Sequence, residues 1–581
     1  MDLRYARNLR VPSDANRAGE LEFDPSDTEN QTLSTPGGIS LATFLLGDVT
    51  NFSRFVSTSV NAKETQKRIF SYVQDTWRVT PNLTINYGLR WEIYYPETVN
   101  GRGQGALGDL NLGAIRVAGY GPYNTALNVK NTYTNLAPRI GVAYQVSPKS
   151  VLRVGYGRSF DIGVFGSVFG HVVTQNVPVL ANQNLTNTGA NTAVFNLSTG
   201  PAPFVFPAIP SNGLIPVPNG LSASFRHDPN QFPTVDAWNL SLQHEFSKSI
   251  SATLGYVGSK GSHTFAGITP GTNPNEPAAI LPASESSTGQ TLSFNPNAPA
   301  GSLTETNNTS FLRPYYSRFG WTQGVGYSHN GFDTHYNSLQ ATIEKRFSSG
   351  LQFTGRYTWQ RDLNYGNDYA EIDRKVSFGR DDTLREQEVQ WYGNYELPFG
   401  RSRQFLSTVP RWMDYLIGGY ELSPSLNWSS GTPFTPSYGE CGADIPDGPC
   451  MPNKGVGRLP LHLTKFDPTT LSRTEFVPVP TFGPNGSTSG PFIRPNLDQY
   501  GNVGRNSYFG PWFFNTDASL LKNIPIRESV KAQFRVDAFN VFNHQNPGNP
   551  GNTCIDCFGA GVITGLAGTP RQLEFSLSVF F

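Results

Sequence analysis

The sequence predicts an all-β chain, a transmembrane antiparallel β-barrel with long loops on one side. Three observations carry that expectation. Segments of about ten residues alternate apolar and polar side chains, the period of a strand. These segments come in pairs around tight turns. Long connections of Asn, Gly, Pro, Ser and Thr join one pair to the next, so short and long links follow each other in order.

Composition agrees. The chain has 581 residues, with 44 Lys plus Arg against 44 Asp plus Glu, so it carries no formal net charge and no basic excess for nucleic acid. Charged residues are 15%, below the soluble norm of about 25%, while Phe, Tyr and Trp together reach 13%. The 59 Gly and 44 Pro call for many turns. No apolar run is long enough for a membrane-spanning helix, but a spanning strand needs only about 9–11 alternating residues.

Residues 1–50 are poorly defined, polar over 11–38 with one short apolar run at 39–46. The first ten residues have no apolar core and are not a signal peptide. From 51 to 581 the pattern is regular and reads as one barrel domain. Hairpins are expected over 69–79 and 83–91, 136–146 and 151–162, 236–246 and 250–258, 338–347 and 351–360, and 513–521 and 528–542. Segments 388–397 and 415–430 form a further pair with a longer Pro-containing link. The remaining links, roughly 96–135, 163–233, 261–333, 363–385, 432–512 and 543–570, are far longer than connections in a compact soluble domain. A barrel threaded through a membrane has such an order, with turns on one side and loops on the other. About ten residues at about 3.3 Å, tilted by about 40°, cover roughly the 25 Å apolar band.

Trp91, Trp359 and Trp428 fall near the long-loop ends of their strands, Trp238 and Trp512 near the same level, and Trp77 near a short turn. Tryptophans at those heights are expected as interface girdles, because indole joins an apolar ring to a polar N–H. In a soluble sandwich each would be a core residue. The last strand, 571–581, sets Leu573, Phe575, Leu577, Val579 and Phe581 on one face. Alone it fits the closing strand of a barrel or the last strand of a sandwich. The parity of the links makes it run toward the short-turn side and end there at Phe581.

With these residues in view, the chain resembles the TonB-dependent transporters of the Oar-like type. The likeness rests on ordered segments: Y-V-Q-D-T-W-R-V at 72–79, N-Y-G-L-R-W-E at 86–92, A-P-R-I-G-V-A-Y at 137–144, Y-V-G-S-K-G at 256–261, Y-N-S-L-Q at 336–340, Y-E-L-P-F-G at 395–400, S-G-T-P-F at 430–434 and F-N-V-F-N-H at 539–544. The resemblance implies an outer-membrane barrel of about 22 strands around an amino-terminal plug, energised by TonB to take up a nutrient. The nutrient classes are carbohydrate, peptide or metal chelate. It also implies outer-membrane lipid as a partner and recognition of the terminal strand, through Phe581, by the assembly machinery. The place implied is the outer membrane of a Gram-negative bacterium. About 14–16 strands are visible, so a partial barrel is expected, corresponding to the carboxy-terminal part of such a receptor without its plug. A passive porin-like or adhesion barrel and a secreted soluble all-β binding protein are the alternatives.

Chemistry-bearing patterns are few. No metalloprotease, nucleophile-elbow or phosphate-loop motif occurs, so neither an enzyme nor a cofactor is expected. Eight histidines are scattered without metal spacing. The four cysteines form two close pairs, Cys441 with Cys450 and Cys554 with Cys557, read as candidate disulfides of an oxidising compartment, with a metal half-site or free thiols as the other readings. Two acidic groups, Asp362, Asp368, Glu371, Asp373, Asp381 and Asp382, and Glu440, Asp444 and Asp447, are expected as solvated loop charge, with oxygen ligation of Ca²⁺ as the alternative.

Overall fold

The computed structural model describes the chain apart from residues 11–15, 31, 33–36, 60–61, 162–170, 227–230, 266–270, 277–292, 295–302, 305–312, 367–372, 438–450, 456–465, 468–471, 474–480, 483–487, 494, 496–499, 528–529, 556 and 558–560. Fourteen strands follow one another in chain order through one antiparallel sheet: β1 (Asp2–Arg10), β2 (Ala62–Thr80), β3 (Leu83–Tyr94), β4 (Leu136–Ser147), β5 (Ser150–Phe160), β6 (Thr234–Ser247), β7 (Ile250–Thr264), β8 (Phe332–Ser348), β9 (Leu351–Tyr365), β10 (Gln387–Glu396), β11 (Tyr420–Ser429), β12 (Phe513–Arg527), β13 (Val530–Phe539) and β14 (Gln572–Phe580). Two short strands, 98–99 and 378–380, branch from β2 and β9 and bring the sheet to 16 strands. Among the described residues β1 and β14 stand at the two ends of this order and are not paired with each other.

Hairpin chemistry explains the short side. The turn between β8 and β9 places Ser349 at φ 55° and Gly350 at φ 79°. Two adjacent positive φ values make a type I′ turn, whose twist matches the strands. Each of the five two-residue links is preceded by a register shift, at 78/80, 145/147, 245/247, 345/348 and 525/527. A bulge there raises the local twist as the sheet turns back.

The cross-strand register sorts the side chains into two faces. One row runs Trp77, Ile85, Val142, Val154, Leu240, Tyr256, Leu339 and Trp359 from β2 to β9, each opposite the next. Another row of the same face runs Gly355, Trp391, Leu426 and Thr516. Further along it, Leu520, Val536 and Phe575 are opposite one another. The other face carries Thr76, Asn86, Asn239, Ser338 and Gln360, and one level down Arg78, Thr84, Arg153, Ser241, Gln340, Thr358 and Glu388. Toward the long-connection end this polar face is covered: Phe70 is buried against Tyr94 and against Phe232, which comes from the connection before β6. The covered polar face is the inner one, and the bare apolar face points outward. On β7 the outward apolar stretch lies between Ile250 and Lys260, the length needed to cross the apolar core of a membrane.

Several expectations change. The segment 1–50 begins with strand β1, paired from Asp2 opposite Phe70 to Arg10 opposite Ala62. Strand β2 starts at Ala62 rather than 69. The strand expected over 415–430 is split: Arg411–Ile417 is a helix, α1, and β11 begins only at Tyr420. The long connections carry structure of their own. Segments 106–109, 114–117, 214–216, 224–226, 271–272 and 326–328 form a six-stranded mixed sheet, and 20–22, 51–57 and 180–186 a three-stranded one.

Among the described residues the largest buried core lies in this layer and not in the wall. Ala106, Ile115, Val117, Ile215, Phe225 and the fully buried Trp321 pack together. A wall sheet with a polar inner face has nothing apolar to close on, so apolar burial moves to the connections.

Candidate functional site

The site is the space bounded by the polar inner wall and the folded layer above it, which we call the cap. Asparagine holds the cap together. Its amide offers both a donor and an acceptor to orphaned backbone groups. The buried Asn176 donates to the carbonyls of Ala106 (3.2 Å), Val172 (3.2 Å) and Ser224 (2.9 Å), and accepts from the Ser224 amide (2.7 Å). Asn275 donates to Gln323 O (2.8 Å) and accepts from Tyr315 N (3.0 Å). The Trp321 indole donates to Val217 O at 2.9 Å.

Charged groups join cap to wall. Arg226, on the cap strand 224–226, meets Glu97 at 3.5 Å, and their side chains are only 2% and 5% exposed. Gln66 of β2 donates to the same Glu97 at 3.2 Å. Beside them Arg90 pairs with Glu92 at 2.6 Å and lies 4.5 Å from the centre of the Phe70 ring. The arrangement seats a folded plate on the inner face of β2 and β3.

A second junction ties two outer connections. Arg505 donates to Asn364 O (3.1 Å), Asn364 Oδ1 (2.9 Å) and Asp382 Oδ1 (2.8 Å). Asn506 donates to Arg380 O and to Asp382, at 2.8 and 2.6 Å. Of the first acidic group, the structure gathers Asp381 and Asp382 here with Asp362 close by, whereas Asp373 caps the turn at 374–377. Asp368 and Glu371, and the whole second group of Glu440, Asp444 and Asp447, lie outside the described residues. Among the described residues no three His, Cys, Asp or Glu side chains stand together as a metal site. Burial works against ionisation of Asp381, but the Thr383 hydroxyl and amide, the Asn364 amide and the Leu384 amide outweigh it and hold its carboxyl below the usual range. A lowered pKa stabilises the loop at any pH above the unfolded value, near 4, and the gain is lost as pH falls through the folded one. Exchange protection of the Thr383 and Leu384 amides is therefore expected to hold to about pH 4 and to drop below it.

Trp77, Trp91, Trp238, Trp359 and Trp428 lie on the outward face of their strands, and Trp512 stands just before β12. Trp91, Trp359 and Trp428 each stand eight residues beyond the first residue of their strand. The Trp91 indole donates to Tyr133 O at 2.8 Å. Trp77 lies near the β2–β3 turn, and Trp512 packs against Phe514, which is opposite Trp428. Trp238 lies across Gly258, where a Cβ would come within 2.6 Å of the indole carbon Cε2. Just beyond Trp238 the outward face turns charged: Arg158 grips Asp236 with two hydrogen bonds of 2.8 and 3.0 Å, and Tyr156 donates to Asp236 at 2.6 Å. Gly258→Val is expected to push Trp238 off its seat and cost about 1–3 kcal/mol. A blue shift or loss of structure in the tryptophan emission, with a lower unfolding temperature in detergent, checks it.

Cys554 and Cys557 form a disulfide with Cα atoms 5.4 Å apart. It closes a tight loop beside the place where Ile555 N donates to Ser437 O and Ser437 N to Thr553 O, the backbone bonds that join one connection to another. Cys441 and Cys450 lie outside the described residues. A ring this short constrains the unfolded chain little, so Cys554→Ser is expected to cost about 2 kcal/mol or less. Heat-induced unfolding with and without reductant measures it. Phe581 follows β14 and is 97% exposed.

One motif of the sequence finds its physical reason here. In F-N-V-F-N-H, Asn540 (φ 48°) and Asn543 (φ 50°) are left-handed. Asn540 donates to His544 O and Thr569 O at 2.9 and 3.0 Å, and Asn543 Oδ1 accepts from Arg571 N at 3.0 Å. The pair fastens the start of β14 to the end of β13.

Among solved structures, the chain is similar to the ferric-catecholate import receptor Fiu from E. coli K12, with 10% identity and a TM-score of 0.36, over 91% of this chain and 50% of that one. It is similar at 10% identity and a TM-score of 0.36 to the ferripyoverdine receptor of the outer membrane of Pseudomonas aeruginosa, over 90% of this chain and 39% of that one. The ferric citrate transporter FecA gives 9% identity and a TM-score of 0.35, over 91% and 50%. The chain thus spans half or less of the length of these structures. No curated protein matches it. The model of the outer membrane beta barrel domain family matches residues 1–574, and with that match, the bare apolar face and the polar inner wall, the chain belongs to this family and its place is the outer membrane of a Gram-negative bacterium.

Proposed function

We propose that the chain is the barrel part of an Oar-like TonB-dependent receptor for energised uptake of a nutrient, whether carbohydrate, peptide or metal chelate. The observation that carries the reading is the folded cap: a plate with its own apolar core, seated by buried charge on the inner wall at the long-connection end. A passive pore gains nothing from such a cover, whereas a receptor uses it to hold ligand before an energised step. The ordered segments of the Oar-like type support the same reading, and two of their residues, Gly258 beside Trp238 and Asn540 at the end of β13, have defined places in the wall. In this reading Trp77, Trp91, Trp238, Trp359, Trp428 and Trp512 stand at the two lipid interfaces, and Phe581 is the end that assembly machinery recognises. Domain 51–581 is barrel wall plus cap, and 1–50 contributes β1 and one edge of the cap.

The test uses the complete gene as the sole route of uptake in cells with TonB present or deleted. Pools of labelled oligosaccharides, peptides and ferric chelates are offered, and accumulation is read. Accumulation of one class above the outside concentration, abolished without TonB, is expected. Entry that ignores TonB and stops at equal concentration would replace the receptor with a passive barrel.

A further inference from the structure

We propose that residues 397–419, which link β10 to β11 on the short-turn side, form a membrane-surface anchor that rests in the headgroup layer of the inner leaflet. The five other short links are two residues long, and this one carries helix α1 (Arg411–Ile417). Trp412, Tyr415 and Leu416 are exposed and fall at i, i+3 and i+4, one face of a helix. Phe399, Phe405 and Leu406 are exposed beside them, with the two phenyl rings 5.8 Å apart. An exposed apolar group of this size is not left to water without a reason.

Its position says what covers it. Lys522 lies on the outward face of β12, opposite Tyr420 and Phe534. Its ammonium stands 4.4 Å from the centre of the Tyr420 ring and donates to the carbonyl of Gly418, directly after α1. The link therefore folds back over the lipid side of the wall and continues the apolar belt. Asp414 faces the other way, accepting from Arg401 N at 2.7 Å. The segment holds Arg401, Arg403 and Arg411 against the single Asp414, a net positive charge that suits anionic phospholipid. Arg403 is paired with Glu396 at 2.7 Å, which leaves Arg401 and Arg411 as the groups for phosphate. Aromatic and aliphatic side chains on one side of a short helix, with arginines around them, are the chemistry of an interfacial element.

The test places the full-length chain in vesicles of phosphatidylethanolamine and phosphatidylglycerol. The difference in emission between the wild type and Trp412→Phe isolates Trp412. Strong quenching of that difference by lipids brominated near the headgroup, with little quenching by aqueous iodide, is expected. Arg401→Gln with Arg411→Gln is expected to weaken the lipid quenching in phosphatidylglycerol-rich vesicles and to leave it unchanged in phosphatidylethanolamine alone. Iodide quenching with no response to brominated lipid overturns the proposal and makes the face one for a periplasmic protein. Trp412→Phe is conservative, and the boiled-against-unboiled gel shift shows that both chains are folded.

Discussion

Leu254→Arg is expected to abolish most assembled barrel, whereas Thr253→Arg, one residue away, leaves it nearly unchanged. Leu254 is 53% exposed and lies on the outward row between Leu242 and Ala341. It stands about midway between the β6–β7 turn and the level of Trp238. A guanidinium there meets hydrocarbon, at about 2–4 kcal/mol for the midplane of an outer-membrane barrel. Thr253 points inward between Gln243 and Thr342, where water and polar side chains solvate a charge. The measurement is the fraction of membrane-inserted protein that resists unfolding until boiled. Equal loss in both variants, or loss only with Thr253→Arg, would mean that the two faces are exchanged or that the sheet faces water on both sides.

How much of this was legible depends on how local the signal is. The β6–β7 hairpin is readable because Leu240, Leu242, Leu254 and Tyr256 alternate without a break and the turn is only Lys248–Ser249 between them. Strand β1 alternates too, with Leu3, Tyr5 and Leu9, but arginine and asparagine dilute the pattern. Helix α1 straddles the expected Pro-containing link and the first residues of the segment expected as a strand from 415, because W-M-D-Y-L-I is a short apolar run, which periodicity alone does not assign. The cap was missed for a deeper reason. Its cohesion rests on single side chains such as Asn176 and Trp321, and on the parallel pairing of 224–226 with 326–328, about a hundred residues apart. Asn- and Gly-rich sequence reads as loop whether or not it folds, because an asparagine staple has no period. Trp91, Trp359 and Trp428 share one offset from the first residue of their strands, a local regularity of the kind that sequence does carry.

Arg226→Met is expected to release the cap from the wall, at a cost of about 3–5 kcal/mol. The guanidinium and Glu97 are both shielded from water, so removing the cation leaves a carboxylate buried without its main counter-charge. Gln66 remains at 3.2 Å from Glu97 and offsets only part of that loss, because a neutral amide donor does not neutralise the charge. The second variant is the informative one. Arg226→Met with Glu97→Met removes both charges and fills the space with apolar atoms, and is expected to be near neutral for cap stability. Protease added to intact cells reads the difference, cutting within 96–135 and 163–233 rapidly in the single variant and slowly in the double. Ligand uptake separates stability from function in the same strains. A cap that merely shields the lumen regains uptake in the double variant along with protease resistance. A cap that must lift during transport stays protease-resistant in the double variant but with uptake altered, because the polar contact that has to break has been replaced by one that does not respond to water.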